Sequence, residues 1–333
     1  MSVGKLLAPH ECASLYSGAN AAIWHAHSLA ARLSRRTTRE EDHVATLITD
    51  GIPFLGERWV PLLRAKGIGL RLSGVFCHGH PQVAFGHPSS RVELADLLVV
   101  HQHTVRKRSS ARAMLLQAKM SADSTHYLSA SDAQLHLFST WPPFEFVSGG
   151  LSPGTRDLSE RGKGSRYALV LDRHAYPEDV DWADQCPWAA SAAKQRLTAD
   201  SSLAKLLGDM LLGRDGRTFQ LGRPTNEWSR TIQELLEVTG KRTYRRANIG
   251  RHASPRLSTA SASPAGVMFM VSALVPSAIG KARAGASILD RYFEEVLVAQ
   301  GNGGGDDLNT EEQFPQPEGG ISTLIIETVE GQG

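Results

Sequence analysis

A carboxylate and a Gln-x-Lys pair, about twenty residues apart in the middle of the chain, have the side chains needed to hold a metal ion next to a phosphate group. Asp96 precedes one apolar run, and Gln117–Lys119 follows another. Mg²⁺ and Mn²⁺ prefer oxygen ligands, which the Asp96 carboxylate, the Gln117 amide and the Ala118 carbonyl would supply. Lys119 would place a positive charge where it can orient water and offset the charge of a phosphate.

Two strands would position these residues. The apolar runs predict one strand over Arg91–His101 and another over Ala111–Met120. Successive strand residues point to opposite faces, so Gln117 and Lys119 share a face while the alanine between them lies on the other. Glu93 lies three residues before the aspartate, so on a regular strand its side chain would point to the opposite face. It would support the site only where a bulge or a strand end intervenes.

A helix upstream of the strands carries two more acids. Thr38 and Glu41 have the spacing of a capping box, apolar residues follow at helical spacing, and Gly51 is the expected stop. Either Glu40 or Glu41 would face inward beside the core. The sequence therefore offers two alternatives for an acid that completes the metal shell.

This order of residues resembles the PD-(D/E)XK nuclease superfamily, and specifically its Mrr-like restriction-endonuclease branch, in which the third catalytic position is commonly glutamine. The resemblance covers about residues 35–140 and includes the glutamate-bearing helix, Asp96 at the head of an apolar strand, and the string LLQAK at Leu115–Lys119. It implies an α/β (α+β) fold of the restriction-endonuclease type. A four-stranded mixed sheet flanked by helices, DNA as the substrate and cleavage that depends on Mg²⁺ (or Mn²⁺) are further implications.

The resemblance also implies roles for individual residues. Asp96, Gln117 and the carbonyl of Ala118 would bind the metal, Lys119 would position the nucleophilic water, and Glu40 or Glu41 would support them. The expected function is a Mg²⁺-dependent DNA endonuclease, with a role in defence against foreign DNA. The alternative is a catalytically inactive scaffold of the same fold that binds DNA or another protein, because glutamine replaces the usual acid.

Further residues near the two strands are candidates for supporting roles. His101 lies beyond Asp96 on the predicted strand, where it would support the site near phosphate. Arg106, Lys107 and Arg108 form a basic loop between the strands. Such cations provide sequence-independent affinity for the DNA backbone. The chain has no G-x-x-x-x-G-K-[ST] motif, so we expect no NTP hydrolysis.

The sequence predicts a core followed by three more regions. Residues 1–150 would form the nuclease-like core, and residues 151–300 would form a mainly helical accessory region for a homodimer or partner-protein contact. Residues 301–320 are rich in glycine and acids and predict a flexible linker, and residues 321–333 predict a strand that pairs with a sheet edge in this chain or in a partner. The elements expected in the accessory region are a strand at 165–172, a turn into a short helix within 182–193, and helices at 201–212, 226–239 and 288–300.

Composition limits the class of protein. The chain has 333 residues, 41% of them hydrophobic, which predicts a folded core. Its net charge is only +2, so DNA binding would depend on local basic patches. The odd number of cysteines favours a reducing, cytoplasmic environment, and no apolar run is long enough to predict a membrane helix.

Overall fold

The computed structural model has a mixed sheet flanked by helices, as the sequence predicts. The structure describes residues 3–33, 37–77, 81–86, 90–106, 108–123, 125–159, 162–172, 185–242, 268–273, 287–293 and 320–330.

Among the described residues, three α-helices precede the first strand, and each later α-helix lies between two strands. The strands are β1 (Ile68–Cys77), β2 (Gln82–Phe85), β3 (Ser90–Glu93), β4 (Leu97–Val105), β5 (Arg108–Ser121), β6 (Thr125–Tyr127), β7 (Phe144–Phe146), β8 (Thr155–Arg156), β9 (Ser165–Leu171), β10 (Trp188–Ser191), β11 (Arg196–Thr198), β12 (Ser201–Ser202), β13 (Arg217–Phe219), β14 (Met268–Ala273) and β15 (Ser322–Glu330). The helices are α1 (Pro9–Leu33), α2 (Glu40–Thr46), α3 (Ile52–Arg64), α4 (Ala133–Thr140), α5 (Leu203–Leu212), α6 (Glu227–Arg242) and α7 (Ile288–Tyr292).

The main sheet has nine strands rather than four. Eight of its strands follow the order β12-β10-β9-β5-β4-β15-β1-β14, and the ninth, β13, pairs with β5. A second sheet has the order β3-β2-β7-β8, and β6 pairs with β11 in a two-stranded ribbon. The main sheet therefore contains strands from both sides of the boundary expected at residue 150.

The late strand β15 lies inside the main sheet, which corrects the prediction that it would pair with an edge. It runs parallel to β4 and antiparallel to β1. Residues 322–328 of this strand are buried. Its apolar side chains serve both faces of the sheet, since Leu324 and Ile326 pack on one face and Ile325 on the other. A run that is apolar on both faces is typical of a strand covered on both sides.

Polar contacts fix the position of β15 between its neighbours. Buried Glu327 lies 3.5 Å from the Nε of Arg71 on β1 and accepts a hydrogen bond from the backbone N–H of Leu289 at the start of α7. On the other side, the hydroxyl of Thr328 lies 2.9 Å from ring nitrogens of both His101 and His103 on β4. A shift of one residue would separate these pairs, so the register is set by polar as well as apolar side chains.

Helices cover both faces of the main sheet. Buried residues of α1, α2, α3 and α5 pack on one face, and buried residues of α4, α6 and α7 pack on the other. Gly51 does not end a helix, because its φ of −66° and ψ of −41° are helical and a π-helical turn, Leu47–Gly51, leads directly into α3. A side chain at Gly51 would lie 3.2 Å from the Cβ of Ala26 in α1, so this glycine serves close packing.

The start of the upstream helix also differs from its prediction by one residue. Helix α2 begins at Glu40, and the carboxylate of Asp42 accepts a hydrogen bond from the backbone N–H of Arg39 at 3.1 Å. The capping bond therefore joins Arg39 and Asp42 rather than Thr38 and Glu41. Glu41 thus has no capping role, and Glu40 is the first helical residue.

The accessory region is not mainly helical in its described part. Strands β9, β10, β12, β13 and β14 from this region belong to the main sheet, and α5, α6 and α7 pack on its two faces. The expected short helix near Trp188 is strand β10, because its residues pair with β9 and are buried on both sides of the sheet. Helix α7 is shorter than expected, and residues 294–300, together with residues 301–319 of the linker expected at 301–320, lie outside the described residues.

The described helices do not include one that is both long and apolar enough to cross a membrane. No disulfide joins the three cysteines, all of which lie in the described part of the chain and are buried.

The buried apolar residues of β15 should contribute strongly to stability. We expect Ile325→Ala and Ile326→Ala each to lower the free energy of unfolding by about 2–5 kcal/mol, because each leaves a cavity on one face of a central strand. Urea denaturation measures the effect, and Val147→Ala, a truncation of a side chain that is 37% exposed, is the control. Equal, small losses in all three variants would contradict the central placement of β15.

Candidate functional site

The structure brings Asp96 and the Gln-x-Lys segment together at the start of β4. One carboxylate oxygen of Asp96, Oδ2, accepts hydrogen bonds from the Nε2 of Gln117 at 2.5 Å and from the backbone N–H of Ala118 at 2.6 Å. The backbone N–H of Asp96 donates to the carbonyl of Leu116 at 3.0 Å. These three bonds hold the carboxylate against β5 at the predicted position.

The unequal lengths of β4 and β5 create this arrangement. Pairing between the two strands begins at Leu97 and Leu116, whereas β5 continues beside β9 as far as Ser121. Beyond the start of β4, alternate backbone N–H groups of β5 have lost their strand partner and need other acceptors. Asp96 accepts from Ala118, and the Oε1 of Glu40 accepts from Met120 at 3.1 Å.

The same edge presents oxygen ligands. The N–H and C=O of one strand residue point to the same side, so the carbonyl of Ala118 faces the edge where its N–H meets Asp96. The Oε1 of Gln117 is buried and has no hydrogen-bond partner among the described residues. A buried amide oxygen without a partner costs free energy unless something binds it. A carboxylate, an amide oxygen and a carbonyl fit the ligand preference of Mg²⁺.

The site is not a cluster of carboxylates and histidines. Within the described residues, no group of three or more His, Cys, Asp or Glu side chains has an arrangement that would hold a metal ion. The candidate ligands are instead a carboxylate, an amide oxygen and a backbone carbonyl, and only the carboxylate carries a formal charge. The expected metal set of Asp96, Gln117 and Ala118 is therefore compatible with the geometry but has little negative charge.

Burial dominates the electrostatics of Asp96. The pKa of the carboxyl is raised to about 8, mainly by burial and also by the nearby charges of Glu93 and Glu40, whereas the Ala118 N–H and the Lys119 charge oppose the rise. Glu93 is close because β3 ends there and the chain bends before β4, which meets the condition that a strand end intervenes. The residues brought together are Asp96, Gln117, Ala118, Lys119, Glu40 and Glu93.

Glu40 rather than Glu41 reaches this cluster. Glu40 bonds to β5, whereas one carboxylate oxygen of Glu41 is buried without a hydrogen-bond partner in the described part of the chain. Neighbouring residues of a helix point about 100° apart, so only one of the two can face the same strand. Of the two acids that the sequence left open, Glu40 is therefore the one that lies at this edge of β5.

His101 does not support the site, which corrects the expectation. It lies five residues along β4 from Asp96, roughly 16 Å away at about 3.3 Å per residue. Its ring is buried against Thr328, and burial lowers its pKa to about 3, so the ring is neutral near pH 7. A buried neutral imidazole has no means of binding a phosphate on the surface.

The basic loop also lies away from the cluster. Arg106 and Arg108 are at the turn of the β4–β5 hairpin, where Val105 pairs with Arg108, and Lys107 lies outside the described residues. The hairpin separates its turn from its open end by a whole strand, so these arginines lie roughly 30 Å from Asp96 at about 3.4 Å per residue. They are not part of the same site.

Two residues near the cluster were not predicted from the sequence. Tyr167 on β9 pairs with Gln117 across the sheet, and a ring nitrogen of His126 lies 3.0 Å from the carbonyl of Met120. The strand that carries Tyr167 was expected, but its neighbour in the sheet was not. A parallel pair of strands leaves no local sequence pattern that would reveal the contact.

The raised pKa of Asp96 predicts how stability depends on pH. In the folded protein the carboxyl keeps its proton up to about pH 8, whereas in the unfolded chain it ionises near pH 4. The unfolded chain therefore releases a proton between these values, and stability falls as the pH rises through this window. Asp96→Asn removes this titration, so we expect the variant to gain stability relative to the unmodified chain from pH 4 to pH 8, with no further gain above.

Urea denaturation at pH 5, 7 and 9 measures this difference. Glu57→Gln, a change of charge at an exposed helical position, is the control. A relative stability of Asp96→Asn that declines as the pH rises would mean that the fold favours the ionised carboxylate.

No family model, curated protein or solved structure matches this chain. Its function must therefore be argued from the residues of the site and their geometry.

Proposed function

We propose that this chain is a Mg²⁺-dependent DNA endonuclease whose catalytic residues are Asp96, Gln117 and Lys119. One observation carries the proposal: the Asp96 carboxylate is hydrogen-bonded to Gln117 and Ala118, with Lys119 two residues along the same strand face. The sequence pattern D…Q-x-K is thus also a spatial cluster. The resemblance to the Mrr-like branch of the PD-(D/E)XK nucleases supplies the reaction and the substrate.

Each residue of the cluster has a role in this proposal. Asp96, the Oε1 of Gln117 and the carbonyl of Ala118 would hold Mg²⁺ or Mn²⁺, which supplies Lewis-acid activation of the phosphate and of water when bound. The ammonium of Lys119 orients the attacking water and offsets the charge that develops on the phosphate. Glu40, fixed by the Met120 N–H, adds negative charge at the same edge of β5.

The proposal extends to the setting of the protein. DNA is the substrate, a homodimer or a partner protein would help to select it, and the biological role would be defence against foreign DNA. We place the protein in the cytoplasm, which the lack of a disulfide among its three buried cysteines supports.

A second function is favoured by the low charge of the site. Glutamine stands where an acid is usual, and burial raises the pKa of Asp96 to about 8, so the site holds little negative charge near pH 7. A scaffold that keeps the nuclease fold and binds DNA or protein without cleavage would tolerate both features. The two functions differ in whether a divalent cation produces cleavage.

Plasmid cleavage tests the first function against the second. With Mg²⁺ or Mn²⁺ we expect the unmodified chain to cut plasmid DNA, and Asp96→Ala and Lys119→Ala to lower the rate by about 100-fold or more, as is typical when a group that stabilises transition-state charge is removed. Lys194→Ala is the control, because it also removes a lysine charge, but from an exposed side chain that pairs with Asp200 and not with a residue of the site. DNA binding in all variants without cleavage by any of them would establish the scaffold.

The distance of the hairpin turn from the cluster gives a second prediction. The double variant Arg106→Ala, Arg108→Ala should weaken DNA binding modestly and reduce its salt dependence, because each arginine that contacts the backbone releases counterions. The rate of cleavage of bound DNA in a single turnover should stay within about twofold, since the arginines lie roughly 30 Å from Asp96. A large drop in the single-turnover rate would contradict the placement of Arg106 and Arg108 away from the site.

A further inference from the structure

Tyr167 is a buried phenol next to the candidate metal ligands. It is 0% exposed and lies on β9, where it pairs with Gln117. Paired residues of neighbouring strands share a face of the sheet, so the tyrosine ring lies beside the Gln117 side chain. Phe138 of α4 contacts the ring, with the two ring centroids 5.4 Å apart.

The hydroxyl of Tyr167 has no hydrogen-bond partner among the described residues. A buried hydroxyl without a partner costs free energy, which is why such groups are rare in folded proteins. Asp132 and Asp96 both lie close enough for their charges to act on this phenol. The tyrosine thus presents an unused donor to the site.

Gln117 presents the complementary acceptor. Its Nε2 donates to Asp96, and its buried Oε1 has no partner in the described part of the chain. An amide oxygen has two lone pairs, so one can accept from a hydroxyl while the other binds a cation. An amide, unlike a carboxylate, must be held in one of two orientations to present its oxygen.

We propose that Tyr167 is a positioning residue that holds the Gln117 amide with its oxygen toward a divalent cation. The hydroxyl would donate to Oε1 through one bridging water, since neither group has a direct partner among the described residues, while Asp96 accepts from Nε2. The amide then cannot rotate by 180° without losing both bonds. This inference rests on the proposed function, because it assigns Tyr167 a task only if Gln117 is a metal ligand.

The test compares two tyrosines whose hydroxyls are buried. Tyr292 also has a buried hydroxyl without a partner among the described residues, but it belongs to α7, and the charges that act on it are those of Arg291 and Glu237. We expect Tyr167→Phe to weaken Mn²⁺ binding, measured by calorimetry without DNA, by about tenfold or more, as loss of a group that orients a metal ligand does. Tyr292→Phe should leave the affinity unchanged, and neither variant should lose stability without metal.

A double-mutant cycle separates positioning from a structural role. In Gln117→Glu the ligand is a carboxylate whose two oxygens are equivalent, so it needs no fixed orientation. We expect Tyr167→Phe to have little effect on Mn²⁺ affinity in this background, and its effect in the two backgrounds to be non-additive.

The outcomes distinguish the inference from the proposed function. Absence of Mn²⁺ and Mg²⁺ binding by the unmodified chain overturns both. Metal binding that is the same in Tyr167→Phe and in the unmodified chain overturns the positioning role and leaves the nuclease proposal standing. Loss of stability in Tyr167→Phe without metal, together with equal loss of affinity in the Gln117→Glu background, assigns the tyrosine a structural role and also overturns the inference.

Discussion

The pairing of β15 with both β1 and β4 is the contact on which the rest of the structure depends. It joins the two halves of the main sheet, and its apolar side chains contribute to the cores on both faces. Its first residue, Ser322, pairs with Leu97, the residue that follows Asp96. The strand that closes the sheet thus also fixes the point at which the candidate site begins. Buried Glu327 and Thr328 add specific polar partners, so the strand has one stable register.

The site itself follows from a simple mismatch of strand lengths. Because β5 extends past the start of β4, its backbone donors need acceptors, and Asp96 and Glu40 provide them. The acids that cap this edge are the same acids that would serve the chemistry. Burial at the edge raises the pKa of Asp96 to about 8, which is the electrostatic condition that a bound cation would relieve. Structural and chemical demands therefore act on the same few atoms.

The sequence predicted the parts of the site that depend on local pairing. Asp96, Gln117 and Lys119 lie on two strands of one hairpin, whose register follows from the apolar runs on either side of a short turn. The position of β15 and the contact of Tyr167 with Gln117 depend on parallel pairings between distant segments, for which a single sequence holds no register information. The expectation that His101 supports the site is wrong for a related reason. Residues that are near in sequence can be far apart in space, because an extended strand moves each residue about 3.3 Å further from the site.

The central place of β15 has a consequence for the order of events during synthesis. More than two hundred residues separate β4 from the strand that pairs with it. Until residues 322–330 have left the ribosome, β1 and β4 lack their shared neighbour, and unpaired strand edges are prone to pair with other chains. The hairpin with Asp96 and Gln117 can form early, but its surroundings are complete only afterwards. A nascent chain therefore carries the residues of the site for most of its synthesis without the finished sheet that would make them competent.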